Sequence, residues 1–220
     1  GIGTTSPGRL LELKESSTGA GDAIIRLRGH GNDANNTSLG SLEWFNADSS
    51  GDQPGVVASV EAQSDNANGH MGKLLFKTHD GDEGSEGSSP VERMRIDASG
   101  RVGVGVIPEA WAATFTPVQV GAAASFVGSI DTSNARVVAN AYWDTTDNRY
   151  EYINSDFASA YNQVDSQHQW LIAASGTADT AISFTQAMTL DASGNLGIGT
   201  SSPAYKLSLV DTTQVGTTIQ

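Results

Sequence analysis

Apolar and polar residues alternate with a period of two along much of this chain. The segment Met94–Val104 reads MRIDASGRVGV, in which apolar side chains alternate with Arg or Gly on both sides of a four-residue turn. A two-residue period on either side of a turn predicts a β-hairpin. Within the turn, Asp97 can accept backbone N–H bonds and Gly100 can adopt a positive φ, so the turn has a physical basis.

This hairpin pattern occurs nearly three times. The copies are GIGTTSPGRLLEL at 1–13, MRIDASGRVGVGVIP at 94–108 and MTLDASGNLGIGTSSPAYKLSLV at 188–210. Corresponding glycines lie 94 to 102 residues apart, at Gly1, Gly103 and Gly197. That spacing is too long for one turn of a solenoid, so it predicts connectors that alternate with β-rich modules.

Glycines alternate along the second strand of each predicted hairpin and leave one face of it without side chains. This pattern predicts either a bulge or bend, or the close approach of another backbone such as a symmetry mate at a narrow axis. A proline then ends the strand in each copy, at Pro7, Pro108 and Pro203. The middle copy has extra residues, 109–117, which place Trp111 and Phe115 in the connector.

These patterns divide the chain into alternating units and predict an all-β fold. The units are residues 1–13, the end of a preceding connector; 14–93, the first β-module; 94–120, a connector; 121–187, the second β-module; 188–210, a connector; and 211–220, the start of a further segment. Strands are predicted at 23–28, 39–45, 56–62, 73–78, 136–143, 149–153 and 169–173, and residues 181–184 are predicted to lead back into the connector. One helical turn is a minor alternative for 155–161. Short strands between Gly/Asn/Asp/Ser turns predict a small antiparallel sheet or sandwich in each module.

Composition indicates association between copies of the chain. The 220 residues include 25 glycines and no cysteine, and 38% are hydrophobic. A module of about eighty residues hides only about 60% of its unfolded surface, and no disulfide can compensate. We therefore predict that the missing core comes from other copies. The chain starts inside a repeat without an initiator Met, so we expect it to be part of a longer protein.

Charge and hydropathy argue against two classes of partner. With 25 acidic and 12 basic residues the formal net charge is −13. Nucleic-acid binding requires basic patches, and anionic lipid surfaces also attract basic segments, so neither partner is predicted. No apolar run approaches the roughly 20 residues of a membrane-spanning helix, so membrane insertion is not predicted.

Catalytic and metal-binding patterns are weak. The four histidines do not form a ligand pair by spacing, and the acidic loop at 80–90 lacks the pattern of a calcium-binding loop, so a solvated loop is favoured. Asp144, Asp147 and Glu151 could meet across a hairpin at a separation that suits glycoside hydrolysis. Such meetings are common in acidic proteins. We therefore assign no catalytic residue, metal site or cofactor, and predict a protein that is not an enzyme.

Aromatic residues on either side of one turn are the stronger candidates for ligand contact. They are Tyr142, Trp143, Tyr150 and Tyr152. If the flanking strands pair, several rings lie side by side and offer flat apolar surfaces with polar edges, which suit sugar rings and protein interfaces. The alternative is that members of this group fill the core of the module.

The connector sequences carry a family resemblance. MRIDASGRVGVG…P and MTLDASGNLGIGTSSPAYKLSLV resemble the connector M-R-I-D-x-S-G-N-V-G-I-G-T-x-S-P-x-x-K-L-x-V of bacteriophage tail fibres and tailspikes, especially those of marine and cyanobacterial phages. The stretches between the connectors are also similar to such fibres, so the resemblance covers nearly the whole chain. The middle copy departs from the pattern, because Gly105–Pro108 is one residue shorter than Gly199–Pro203.

The resemblance implies a parallel, elongated homotrimeric fibre of β-modules that carries or forms the receptor-binding tip. On this hypothesis the chain is a structural and adhesive segment, located extracellularly in the virion. Its partners are further copies of itself, other virion tail proteins, and a glycan or outer-membrane receptor on the bacterial surface. The alternatives are a carbohydrate-degrading tailspike (a glycan depolymerase) or a bacterial surface adhesin.

Overall fold

The computed structural model describes residues 36–47, 55–65, 71–79, 89–130 and 132–210. These ranges contain fifteen strands and no helix, which confirms the all-β prediction. Accordingly, no described segment is a helix of the length and hydropathy that crossing a membrane requires. The predicted strand at 23–28, most of the acidic loop at 80–90 and the terminal segments 1–13 and 211–220 lie outside the described residues.

The strands are short, between three and ten residues each. Their bounds are β1 Ser38–Asn46, β2 Gly55–Ser64, β3 Gly72–Thr78, β4 Val91–Ile96, β5 Val102–Val104, β6 Phe115–Val120, β7 Ala124–Ser129, β8 Ala135–Ala139, β9 Ala141–Asp144, β10 Arg149–Tyr152, β11 Ala158–Val164, β12 Gln167–Ala173, β13 Thr185–Leu190, β14 Leu196–Ile198 and β15 Leu207–Leu209.

Thirteen strands form one sheet in the order of the chain, and β9 and β10 form a separate hairpin. Neighbouring strands are antiparallel except in two places, where β5 pairs with β6 and β14 with β15 in parallel. The connector strands therefore belong to the same sheet as the module strands. The module boundaries themselves stay a prediction.

The two connector turns have the predicted mechanism. One carboxylate oxygen of Asp97 accepts backbone N–H bonds from Ser99 and Arg101 at 2.9 and 3.0 Å. Gly100 lies at φ 78° and donates its N–H to the Asp97 carbonyl oxygen. The turn that begins at Asp191 repeats these bonds, and they lower the pKa of its carboxyl. A turn that is held by hydrogen bonds to its own aspartate fixes the strand register of the hairpin.

Each parallel pair is closed by a short connection that passes over a glycine. A Cβ added to Gly103 would lie 2.2 Å from the carbonyl oxygen of Val106 and 2.7 Å from Cδ of Pro108. A Cβ on Gly197 would lie 2.6 Å from the carbonyl oxygen of Thr200. The close approach of a backbone, predicted from the glycines, is therefore present, but the approaching backbone is the chain's own and not a symmetry mate's.

The crossings are shorter than parallel pairing usually requires. The connections span residues 105–114 and 199–206, whereas parallel neighbours are usually joined by a dozen residues or more. The glycine allows the chain to pass directly over the strand that it has just left. The middle connector keeps this geometry despite its shorter Gly–Pro spacing, since Gly105 and Gly199 have φ of 68° and 74°.

The two modules share one strand plan. Strands β1 to β5, in the first module and the connector after it, pair in the same succession as β8, β11, β12, β13 and β14, in the second module and its connector. The second module carries the hairpin β9–β10 between β8 and β11, whereas residues 48–54 between β1 and β2 lie outside the described part of the chain. The described strands of the main sheet therefore follow one succession in both halves of the chain.

Two details of the second module differ from the sequence prediction. The single strand predicted at 136–143 is wrong, because the chain breaks at Asn140 with φ 56°. The Asn140 amide donates to the carbonyl oxygens of Asn154 and Phe157 at 3.0 Å each, which holds the break in place. The helical turn considered at 155–161 is also wrong, since β11 occupies most of that stretch. The alternation of Ala158 and Ala160 with polar residues is that of a strand.

One face of the sheet is apolar and exposed. Directly paired residues share a face, so a single line of partners can be followed across all thirteen strands. The line reads Gly40, Ala62, Leu74, Ile96, Val102, Val118, Phe126, Val137, Tyr161, Trp170, Met188, Ile198 and Leu209. None of these residues is charged. We call the face that carries this line the apolar face; Phe126 and Val137 on it are 58% and 53% exposed.

The opposite face carries polar side chains, and many of them are buried. Gln119 and Thr189 have no exposed surface, and Ser125 and Ser208 are almost fully buried. Gln119 accepts hydrogen bonds from the backbone N–H of Glu109 and from the Trp111 indole. The crossing loops and the β9–β10 hairpin thus cover the face that bears polar groups, and the described part of the chain leaves the apolar face open.

We predict that the crossings depend on their glycines. Gly103→Ala places a methyl group against Val106 and Pro108, so it should lower the free energy of unfolding by about 2 kcal/mol. Gly128→Ala is the matched control, because its added Cβ meets nothing within 4 Å. The control should change the free energy by less than about 0.5 kcal/mol. Denaturant unfolding at one protein concentration measures both. Equal stability of the two variants would contradict this account of the crossing.

Candidate functional site

The candidate site is a small hydrophobic unit on the side of the sheet opposite the apolar face. It combines the hairpin β9–β10 with the extra residues of the middle connector and with the segment that leads into β13. Trp111 forms a β-bridge with Asp144, and Glu151 forms one with Ala181. Its buried members are Trp111, Val127, Val138, Ala141, Tyr142, Tyr152, Ala158 and Ala160. We call this unit the knob.

Trp143 and Tyr150 face each other across the hairpin, as the sequence predicts. They are direct partners in the strand register, and their ring centroids lie 4.8 Å apart at nearly a right angle. The Trp143 indole N–H donates to the side chain of Asn148 at 3.1 Å, which closes the turn. Both rings are half-buried. Of the four predicted aromatic residues, this pair retains surface that a ligand could touch.

Tyr142 and Tyr152 belong to the buried interior of the knob. Tyr142 is 6% exposed, packs edge-on against Trp111, and donates its hydroxyl to Glu151 at 3.2 Å. The Tyr152 hydroxyl donates to the carbonyl oxygen of Ala174 at 2.6 Å. Both residues contribute packing and an internal hydrogen bond. A role for the four aromatic residues in ligand binding stays a prediction.

Arg136 joins the knob to the sheet. Arg136 projects from β8, and its guanidinium lies 5.3 Å from the Phe115 ring centroid and 5.6 Å from that of Tyr150. It also donates to the Tyr150 hydroxyl. Burial raises the pKa of Tyr150, although the neighbouring cation opposes the shift. Cation–π contacts of this kind stabilise a desolvated arginine by about 2 kcal/mol.

Three carboxylates meet at the hairpin turn, as the sequence pattern allows. Oxygens of Asp144, Asp147 and Glu151 all lie within 4.8 Å of one another. Arg149 forms ion pairs with Asp147 and Glu151, at 2.7 Å each. The Asp144 carboxylate accepts two backbone N–H bonds of the turn, at 2.6 Å. The arrangement can stabilise the hairpin by ion pairing, since the arginine bridges carboxylates that would otherwise repel each other.

Several residues of the knob were not predicted as part of one site. Trp111, Phe115, Arg136 and Phe184 come from three separate stretches, and only the fold brings them to the hairpin. A signal was present in the extra residues 109–117 of the middle connector, because an insertion rich in aromatic residues must pack somewhere. The sequence does not say against which partner.

Comparison with known proteins yields distant structural matches. No protein-family model matches the chain, and no curated protein matches it. The carboxy-terminal domain of the bacteriophage T5 L-shaped tail fibre matches with a TM-score of 0.42 and 11% identity, over 89% of this chain and 92% of that one. The same domain with its intramolecular chaperone matches with a TM-score of 0.45 and 12% identity, over 96% and 68%. At these TM-scores the likeness assigns no function to this chain.

We predict that alkaline unfolding reports on Tyr142. Burial, and then the charge of Glu151, raises the pKa of Tyr142 above its usual value of 10.0. The folded chain therefore keeps a proton that the unfolded chain releases, and stability should fall as pH rises past about 10. Tyr142→Phe removes this contribution but costs about 1 kcal/mol at neutral pH, because Glu151 loses a donor. Denaturant unfolding between about pH 8 and about pH 11 measures both effects.

Tyr205→Phe is the matched control for this experiment, since Tyr205 is 47% exposed. The control should lose stability with pH as the unsubstituted chain does. If the Tyr142 variant and the control have the same pH dependence, the buried hydroxyl of Tyr142 is not the group that titrates.

Proposed function

We propose that this chain is a non-enzymatic structural and adhesive segment of a phage tail fibre that works as a parallel homotrimer. The observation that carries the proposal is the apolar face, which continues through both modules and both connectors. The connector sequence, with its resemblance to tail-fibre connectors, supports the virion setting. Further copies of the chain cover the face.

The composition of the apolar face supports the proposal that further copies of the chain cover it. An uncharged line with exposed Phe126, Val137 and Ile198 is costly to leave in water, since large apolar patches of monomers are rarely so extensive. The net charge of −13 opposes contact between copies over most of their surface. The central line of the apolar face has no charge, so copies can meet there without repulsion.

The dimensions of the apolar face also suit an interface between copies. Thirteen strands at about 4.8 Å spacing give a length of about 58 Å, and three side chains on one face of the longer strands give a width of about 14 Å. The product, about 800 Å² on each copy, is the area of a standard stable interface. Closure of three such sheets around one axis would complete the hydrophobic core that each chain lacks.

The knob supports the adhesive part of the proposal. It lies on the side away from the apolar face, where an assembled fibre meets solvent, and it has its own buried core. We assign it the contact with a glycan or outer-membrane receptor of the bacterium, with Trp143 and Tyr150 as the accessible rings. Other tail proteins of the virion would join the segment end to end.

A carbohydrate-degrading tailspike is the second candidate, because three carboxylates meet at the hairpin. Their separation is near that of the acid and nucleophile in retaining glycosidases, about 5 Å. Glu151, however, is only 5% exposed and is held by Arg149 and Tyr142. A catalytic carboxylate has to reach the glycosidic oxygen, so structural ion pairing accounts better for this position. A bacterial surface adhesin remains an alternative setting for the same assembly.

We predict a trimer whose formation depends on the apolar face. The chain has a mass of 22.8 kDa, so a trimer has about 68 kDa by light scattering. Val137→Glu should give a folded monomer, because Val137 is exposed in the single chain and would bury a charge in the assembly. Thr146→Glu, at the exposed hairpin turn, should leave the trimer intact. A monomeric unsubstituted chain would refute the proposal.

We also predict that the protein releases no reducing sugar from purified surface polysaccharide of a strain it binds. Glu151→Gln keeps the shape of the side chain and removes its charge, so binding by the variant should weaken by less than about threefold. Release by the unsubstituted protein that is abolished in this variant would favour the depolymerase alternative.

A further inference from the structure

In the second module, polar side chains on strands β11 and β12 interrupt the apolar face. Tyr161 and His168 share a hydrogen bond between the hydroxyl and Nδ1, and their rings stack with centroids 6.0 Å apart. Gln163 is the direct strand partner of His168 and is exposed. By strand register, all three side chains lie on the apolar face. We call them the polar trio.

The corresponding positions of the first module carry apolar side chains. Strands β2 and β3 occupy the place that β11 and β12 occupy in the second module. Counting from Met94 and Met188 through the paired strands, the counterparts of Tyr161, Gln163 and His168 are Val60, Ala62 and Leu74. The trio is therefore a difference between two surfaces that share one strand plan, and that plan does not require it.

A uniformly apolar face would leave the alignment of the copies poorly determined. Every strand presents similar aliphatic or aromatic residues, so one copy could slide past another by two strands, about 10 Å, and still bury nearly the same surface. A polar residue in such an interface penalises misalignment, as single polar residues do in coiled coils. A copy displaced by two strands would set Gln163 against Gly128 or Leu190 and leave its amide unsatisfied.

We infer that the polar trio fixes the register of the copies along the apolar face. The inference rests on the proposed homotrimer and adds the residues that align it. When the three copies are aligned, their polar trios lie at the same height along the fibre and contact one another. The Gln163 amide has both donors and acceptors, so it can bond to the same group of another copy. Every displaced alignment buries at least one trio against apolar side chains, at a cost that the aligned assembly avoids.

The charged groups nearest to the trio lie outside the apolar face. On the apolar face, strand β8 presents Ala135 and Val137 beside the trio, and strand β13 presents Met188 and Leu190. Asp165 belongs to the β11–β12 turn, and Asp191 follows β13 with its carboxylate bonded to backbone N–H groups of its own turn. Hydrogen bonding and not charge therefore provides the alignment.

Disulfide trapping tests the inference, because the native sequence contains no cysteine. Val118 and Val137 lie two strands apart in one line of the apolar face. Chains carrying Val118→Cys and chains carrying Val137→Cys are expressed together and oxidised. A disulfide requires Cα atoms within about 7 Å, so aligned copies link like residues, and only a displacement of two strands links unlike ones. Mixed disulfides should be at most about a tenth of the total.

The variant that removes the trio uses the residues of the first module: Tyr161→Val, Gln163→Ala and His168→Leu. Mixed disulfides should rise at least about fivefold in this background. Gln163→Ala alone, a mild change at an exposed position, should give part of that rise. Gln169→Leu, on the opposite face of β12, is the control and should change nothing.

The outcomes separate this inference from the proposal beneath it. A monomer by light scattering would overturn both. A trimer that forms few like-residue disulfides, or whose mixed disulfides do not rise when the trio is replaced, would overturn the inference and leave the trimer standing. A rise equal to that in the Gln169→Leu control would overturn it as well, because the effect would then not belong to the apolar face.

Discussion

The passage of the chain over a bare glycine is the constraint on which the sheet depends. Strands β5 and β14 each have to pair with a parallel neighbour after a connection of ten residues or fewer. Such a connection has no room to arch around a side chain, so it lies on the strand at Gly103 or Gly197. Without this crossing the sheet would end at each connector. With it, the apolar face continues from one module to the next.

Because the sheet is continuous, each of its two faces has one role along the whole sheet. The crossing loops and the knob cover one face, and there the polar side chains of Gln119 and Lys73 are buried with internal hydrogen bonds. The other face is covered by none of the described residues, although it carries the larger apolar side chains. A soluble chain usually does the reverse. The inversion is understandable if the apolar face is the inside of an assembly and the covered face is its outside.

Two features of the second module, described by the structure, have different physical meanings. The knob adds volume on the outer side, with a core of its own around Trp111 and Tyr142. The polar trio changes chemistry on the inner side without changing the strand plan. An outer addition can contact a partner without disturbing the sheet, whereas an inner polar group acts on the way copies align. The same repeat can therefore vary its surface and its assembly independently.

The sequence alone determined the local elements, because their causes are local. The alternation around 97–100 and 191–194, an aspartate that accepts N–H bonds and a glycine with positive φ are sufficient to specify each hairpin, and the pairing of Trp143 with Tyr150 follows from one short turn. Only the tertiary structure decided what lies far apart in the chain. The break at Asn140 depends on hydrogen bonds to Asn154 and Phe157, the bare face of Gly103 receives the chain's own crossing, and Arg136 meets Phe115 and Tyr150 through sheet register. Contacts between distant segments are set by packing, and no two-residue period encodes them.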